Sequence, residues 1–192
     1  MGHAGTLDPL ASGLLIICTG KLTKTIDQIQ AQEKEYTGTF KLGATTESYD
    51  LEREINQTFD TSKITETQIH EAVKKFIGTI EQMPPQHSAK KVDGKRAYEL
   101  ARRGKVANLE PKKITIYEFE ITGIDMPLVH FRIACSKGTY IRSIADDFGK
   151  ALNNGAHLVA LARTKIGNYK LEDAWEVDAF EDLIRQKAEV KE

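Results

Sequence analysis

Residues 2–14, Gly-His-Ala-Gly-Thr-Leu-Asp-Pro-Leu-Ala-Ser-Gly-Leu, constrain this chain more than any other stretch. One carboxylate, Asp8, stands among three glycines, a run of small residues and a proline. Glycine admits left-handed or crowded backbone that other residues resist. Pro9 disfavours helical geometry at Asp8 and pushes it towards an extended conformation. The fold must therefore carry a tight, pre-shaped loop that points Asp8 into a space. A lone Asp before Pro is ordinarily a turn residue or a cap; the long glycine-bracketed context sets this one apart.

A length of 192 residues suits one substantial domain, or one domain with a small appendage. A hydrophobic share of 40% and a charged share of 29% are those of an ordinary globular chain. No apolar run approaches the ~20 residues of a membrane span. No basic segment with an apolar core precedes the Asp8 loop, so a cytoplasmic protein without a membrane partner is expected. Cys18 and Cys135 are too few and too far apart for a disulfide framework and are expected to be inert thiols. No C-x-x-C or H-x-x-x-H spacing suggests a metal site, and no glycine-rich nucleotide signature occurs.

The net charge is −1, but its distribution is uneven. Residues 84–113 hold nine Lys/Arg and three Asp/Glu, a net of +6, which leaves −7 for the remainder. That asymmetry fits a local polyanion-binding surface on an acidic body.

Hydrophobic periodicity gives the elements. Residues 36–42 alternate, with Tyr36, Gly38, Phe40 and Leu42 on one face and Thr37, Thr39 and Lys41 on the other, as in a half-buried strand. Thr65 and Gln68 form a capping-box pattern. Ile69, Ala72, Val73, Phe76 and Ile77 follow at helical spacing, and Gly78 is a natural stop. Residues 14–18 read as a buried strand or helix entry, 23–30 as a short helix and 51–63 as a polar loop. Pro84-Pro85 breaks a strand over 79–83, and 97–103 could make a short helix. Residues 114–121 and 128–135 read as antiparallel neighbours joined by 123–127. Residues 139–152 read as a helix with Ile141, Ile144, Ala145 and Phe148 inward, and 158–166 as a further strand. Asp178 is placed to cap a last helix carrying Phe180, Leu183 and Ile184. Strands and helices mix without regular β-α-β alternation, so the expected class is α+β: a mixed, largely antiparallel sheet flanked by helices.

The Asp8 loop resembles G-H-x-G-T-L-D-P-x-A-[ST]-G-[LV]-L, the catalytic motif of the bacterial tRNA pseudouridine synthase B (TruB) family. Three further segments resemble family motifs in the same order. Lys34-Glu35-Tyr36 is similar to K-x-Y. Cys135-Ser136-Lys137-Gly138-Thr139-Tyr140-Ile141-Arg142 is similar to C-S-x-G-T-Y-[IV]-R. Leu161-Ala162-Arg163-Thr164 with Gly167 is similar to L-x-R-x-x-x-G. The resemblance implies an isomerase that turns the T-loop uridine of tRNA, position 55, into pseudouridine. It implies Asp8 as the catalytic residue, paired with Arg142; Tyr36 against the target base; Tyr140 and Leu161 lining the uridine pocket; and His3 filling the space the base vacates. It also makes residues 84–113 a thumb-like insertion that closes on the T-arm, with Lys90, Lys91, Arg96, Arg102 and Arg103 on the RNA backbone.

The chemistry agrees with that assignment. Pseudouridine formation breaks the C1′–N1 bond, turns the base and rejoins it through C5, so no cofactor or metal is needed. It needs a nucleophile, a group that keeps the nucleophile ionised, and a dry pocket that retains free uracil. Asp8 can attack C1′ or uracil C6, or act as a base at C2′, and the residues leave these routes open. Tyr36 offers a stacking face and a hydroxyl near C5. The extruded base leaves its stack at a few kcal/mol. Three competing readings are a non-catalytic tRNA-binding or folding protein or truncated inactive fragment of such a synthase, the same chemistry on another RNA, and a carboxylate hydrolase, which requires a second acid beside Asp8.

The expected organisation is a catalytic domain over residues 1–170, with a short helical extension over 171–192 and no full RNA-binding PUA domain. A monomer is expected. Family members carry some thirty to forty residues ahead of this loop, so an exposed sheet edge and lowered stability are expected of the chain. Ala162 stands where many relatives have a second basic residue.

Overall fold

Alternating apolar residues on three long segments build the centre of the molecule. The computed structural model describes residues 1–86 and 108–189, and the backbone of 91–92 and 95–96. Three short strands come first, β1 (Gly2–His3), β2 (Ser12–Gly13) and β3 (Ile17–Cys18). A 3₁₀ turn over Gly20–Thr25 leads into α1 (Ile26–Ala31). Next come β4 (Lys34–Leu42), β5 (Ala44–Thr46), β6 (Ile55–Thr58), α2 (Glu66–Lys74) and β7 (Gly78–Gln82). The small hairpin β8 (Lys91–Val92) and β9 (Lys95–Arg96) precedes β10 (Lys112–Asp125) and β11 (Leu128–Cys135). Then follow α3 (Ile141–Ala151), β12 (Ala156–Ile166), β13 (Tyr169–Lys170) and α4 (Val177–Glu189).

The main sheet runs β13-β12-β4-β11-β10-β7, every pairing antiparallel, and β2 adds to β12 in parallel. The expected α+β class with a mixed, largely antiparallel sheet is what forms. β4 sits at its centre, with Phe40 opposite Val129 on one side and Leu158 on the other. Its inward face carries Phe40, which stacks on Phe131 at 4.2 Å between ring centres. Phe119 and Phe148 pack against that pair, and Phe76 reaches Phe119 and Phe148. Offset and edge-on aromatic pairs add about 0.5–1.5 kcal/mol each beyond burial. α2 and α3 cover this face: Ile69, Ala72 and Val73 from one and Ile141, Ile144, Ala145 and Phe148 from the other are buried in one core. The Thr65 capping box forms in full, with Thr65 accepting from the Gln68 N–H and Gln68 accepting from the Thr65 N–H.

The structure departs from the sequence reading at several points. Residues 55–58, read as loop, form β6, which pairs with β5. All four are exposed, so neither face is apolar and no alternation signals the strand. The β10 strand runs on to Asp125, leaving only Met126 and Pro127 between it and β11. Ile77, read as a core position, is 47% exposed because the helix ends before it. Ile17 is also exposed, although Leu14 and Cys18 around it are buried. Asp178 lies inside the first turn of α4 rather than ahead of it, and Phe180 and Ile184 are exposed. The short helix read over 97–103 lies outside the described residues.

A second, smaller core of Ala4, Leu14, Cys18, Ile29 and Ile166 ties the Asp8 loop to α1 and the end of β12. Gly13 is where the loop meets the sheet. Its φ of +98° is left-handed, and an added Cβ would drive into the Arg163 carbonyl. We expect Gly13→Ala to lower stability by about 1–3 kcal/mol, read as a shift of the urea midpoint. An unchanged midpoint would show that the loop does not need this approach.

Candidate active site

The two chain segments that carry Asp8 and Arg142 meet at a bidentate ion pair. Asp8 opens a tight turn in which the Ala11 N–H donates to the Asp8 carbonyl at 2.9 Å. Both sides of the turn are anchored: the Ala4 N–H donates to the Ile16 carbonyl, and the Leu14 N–H to the Arg163 carbonyl. Arg142 lies in the first turn of α3, is 3% exposed, and reaches Asp8 across 134 residues of sequence. Its Nε donates to Asp8 Oδ2 and its Nη2 to Oδ1, each at 2.8 Å. Two parallel charge-assisted bonds fix the direction of the carboxylate as well as its place. The Asp8 side chain remains 40% exposed, so a reactant can reach it.

Behind Arg142 stands an acid that the sequence reading missed. Asp50 is almost fully buried, and its Oδ2 lies 3.5 Å from Arg142 Nε. Arg142 Nη1 also reaches the Ser48 carbonyl at 3.5 Å. The 46–50 loop is folded on itself. Thr46 Oγ1 donates to the Asp50 carbonyl at 2.7 Å, Asp50 Oδ1 accepts the Glu52 N–H, and Tyr49 has a φ of 64°. The Leu158 N–H donates to the Tyr49 carbonyl, which docks this loop on β12. Asp50 and Asp8 line the same cleft, together with Leu10, Ala11 and Leu161. Both acids are directed at one guanidinium. The hydrolase reading needs instead two carboxyls with separate roles, one acid and one base.

The other predicted residues distribute as follows. Leu161 lines the Asp8 cleft and packs on the main core. Tyr36 and Tyr140 line a neighbouring hollow of about 480 Å³ with Gly5, Lys112, Lys137 and Arg163. The cleft that Asp8 and Leu161 line together is only about 20 Å³, enough for a water, whereas the hollow at Tyr36 and Tyr140 is large enough for a nucleotide. Burial pushes the Tyr36 phenol up to about 12, Cys135 and Asp8 add to the rise, and the Arg163 guanidinium opposes it. His3 is exposed in β1 opposite Ile17 and lines neither space. Lys91 and Arg96 are backbone partners in the antiparallel β8–β9 pairing. Lys90, Arg102 and Arg103 lie outside the described residues. Cys18 and Cys135 are free and buried, and burial raises the Cys135 thiol to about 12, so it stays protonated.

Arg163 is a second residue whose part the sequence did not reveal. It is 2% exposed, donating from Nε to the Leu14 carbonyl at 2.9 Å and from Nη2 to the Gly5 carbonyl at 3.0 Å. It therefore holds the Asp8 loop on both sides of the acid while bordering Tyr36. Its neighbour Lys34 is also buried, donating to the Gln30 and Gln32 carbonyls at the end of α1. Burial and the Arg163 charge lower the Lys34 amine below its ordinary value.

A largely antiparallel sheet presenting an accessible Asp gripped by a buried Arg, with a tyrosine-lined hollow close by, matches the class that the family models give, pseudouridine synthase. The model of the TruB family pseudouridylate synthase N-terminal domain matches residues 1–141, and that of the tRNA pseudouridylate synthase B C-terminal domain matches 142–192. The chain belongs to the TruB family. It is 60% identical over 185 residues to the tRNA pseudouridine synthase B of Flavobacterium johnsoniae, covering 96% of this chain and 81% of that one. To that of Chlorobaculum tepidum it is 49% identical over 193 residues, covering 100% and 80%. Among solved structures it is similar to a Cbf5-Nop10-Gar1 complex, with a TM-score of 0.65 and 31% identity over 88% of this chain. It is also similar to an H/ACA RNP bound to a substrate RNA containing 2′-deoxyuridine, with a TM-score of 0.61 and 27% identity. The chain spans about two fifths of those two chains, 41% and 39%.

Proposed function

We propose that this chain isomerises uridine to pseudouridine at position 55, in the T-loop of tRNA, with Asp8 as the nucleophile. The Asp8–Arg142 pair carries the reading: two bonds of 2.8 Å hold an accessible carboxylate in one orientation. Binding tRNA is supported by the family and by the likeness to an RNA-bound H/ACA complex. The target base leaves its stack and enters the hollow that Tyr36 and Tyr140 line. Stacking on Tyr36 is worth ~1–3 kcal/mol. The basic stretch 84–113, with Lys90, Lys91, Arg96, Arg102 and Arg103, neutralises phosphates and releases counterions. Lys112 and Lys137 bring further positive charge to the rim of the hollow. The chain acts as a monomer in the cytoplasm, where its two thiols stay reduced. Isomerisation leaves the redox state and atom count of the base unchanged, so the residues described supply all the groups the reaction calls for.

Tritium release from C5-labelled uridine in T-arm RNA tests the proposal. Release is expected from the T-arm, with pseudouridine mapped to the T-loop position. Absence of release, or release that maps elsewhere, defeats it. A second test concerns the Tyr36 phenol. With the group held protonated until about pH 12, the phenolate is only about one part in 10⁵ at pH 7. The hydroxyl therefore acts as a hydrogen-bonding group, and the rate should show no basic limb assignable to it below about pH 10. Tyr36→Phe is expected to keep RNA affinity while losing rate, and Tyr36→Ala to lose about 5- to 100-fold in affinity as well. A rate that climbs with pH in the wild type and goes flat in Tyr36→Phe would show an ionised phenol at work.

A further inference from the structure

Two consecutive residues leaving β7 hold the start of the helix that carries Arg142. Gln82 is 1% exposed. Its Oε1 accepts the Tyr140 backbone N–H at 2.8 Å, and its Nε2 donates to the Tyr140 carbonyl at 3.0 Å. The side-chain amide thus satisfies both main-chain groups of one residue, as a paired strand does. Met83 then offers its carbonyl to Ser143 Oγ at 2.8 Å. Tyr140 and Ser143 flank Arg142 in sequence.

Tyr140 is the N-cap residue of α3, with φ −100° and ψ 107°, and its side chain makes no capping bond. A helix start without a cap frays, because its first N–H groups lack partners within the helix. Here the fastening comes from another strand, 58 residues earlier in the chain. A buried glutamine often serves only to satisfy local polar groups. This one fastens the residue whose ring lines the nucleotide-sized hollow, two positions before the guanidinium that grips Asp8.

We infer that Gln82 is a positioning residue: its amide fixes the Tyr140 backbone, and through it the Tyr140 ring and the Arg142 guanidinium. The rate effects rest on the isomerase reading above; the fastening itself does not. Displacing reacting groups by about 1 Å costs on the order of 10²-fold in rate.

Gln82→Met keeps the length and volume of the side chain and removes both hydrogen bonds. Gln82→Glu is the conservative variant. As a neutral carboxylic acid it accepts from the Tyr140 N–H and donates to the Tyr140 carbonyl, reproducing both bonds. Once ionised it repels that carbonyl and turns to Lys112, which stands opposite on β10. Each variant is assayed for single-turnover rate at saturating T-arm RNA, RNA affinity, and hydrogen exchange at the Tyr140 amide.

For Gln82→Met we expect a rate loss of about 30- to 300-fold with RNA affinity within about threefold, and exchange at Tyr140 at least about tenfold faster. For Gln82→Glu we expect a rate that falls relative to wild type as pH rises and the carboxyl ionises. A Gln82→Met rate within about threefold of wild type overturns the inference. So does unchanged exchange at Tyr140, or a Gln82→Glu rate ratio that ignores pH. If Gln82→Met does not fold, the Gln82→Glu pH profile decides. If the wild type itself releases no tritium, the isomerase reading fails, and Tyr140 exchange alone decides whether the fastening exists.

Discussion

Asp8→Asn removes tritium release from C5-labelled uridine by on the order of 10⁴-fold or more, while T-arm RNA still binds within about threefold. The substitution keeps the size of the side chain and one carbonyl oxygen, so the turn closed by the Ala11 N–H on the Asp8 carbonyl is untouched. What goes is the carboxylate proposed as the nucleophile, together with one of the two charge-assisted bonds to Arg142. Asp8→Glu makes a sharper comparison. It restores the charge but carries the carboxylate about one methylene further, and a misplacement of about 1 Å is enough to lose on the order of 10²-fold. The expected order is therefore wild type, then Asp8→Glu, then Asp8→Asn. RNA affinity should be flat across the three, because phosphate contacts dominate it. Equal release from wild type and Asp8→Asn would overturn the assignment of Asp8. A parallel loss of affinity and rate would show instead that the loop serves only to hold RNA.

How much of this was legible beforehand depended on whether a residue's neighbours in sequence are also its neighbours in space. The Asp8 loop could be read because its glycines and proline state the backbone shape locally: Gly5 and Gly13 do take positive φ, +93° and +98°. The start of the Thr65 helix could be read because cap and periodicity lie within one element, but the helix ends at Lys74, ahead of Gly78, which the sequence offered as its stop and which instead opens β7. Arg142 lies in an ordinary amphipathic helix, and only the ordered resemblance of four segments singled it out. Asp50 sits in a polar stretch with no period at all. Its burial comes from a loop turned on its own Thr46 and Ser48 hydroxyls and docked on β12, which no local pattern announces. Arg163 was quoted as part of a motif, yet its task of bonding two loop carbonyls about 150 residues earlier needs the β2–β12 pairing to be known. The apolar side of α4 is periodic, but periodicity does not say whether anything covers it, and Phe180 and Ile184 stand exposed. Local chemistry thus singled out Asp8, whereas the groups that hold it are creatures of the tertiary fold.

Arg142 should show the largest combined effect on rate and stability. Its guanidinium is 3% exposed and sits between Asp8 and the almost fully buried Asp50. Arg142→Met fills much of the same volume but leaves Asp50 as a buried carboxylate without its counter-charge. Breaking such a buried pair from one side costs about 3–5 kcal/mol, and the loss of orientation at Asp8 should cut the single-turnover rate by on the order of 10³-fold. Arg142→Lys restores a charge but not the planar fork, so it should recover part of the stability and little of the rate. The double variant Arg142→Met with Asp50→Asn separates the two consequences. Removing the stranded charge should return much of the stability lost in Arg142→Met, a coupling within the range of about 0.5–3 kcal/mol seen for residues in one network. It should return none of the rate, because nothing then orients Asp8. Urea unfolding and single-turnover assays on the four proteins of that cycle give both quantities. Additive stabilities would mean that Asp50 and Arg142 do not sense each other. A double variant that regains activity would mean that Asp8 needs no guanidinium to be oriented.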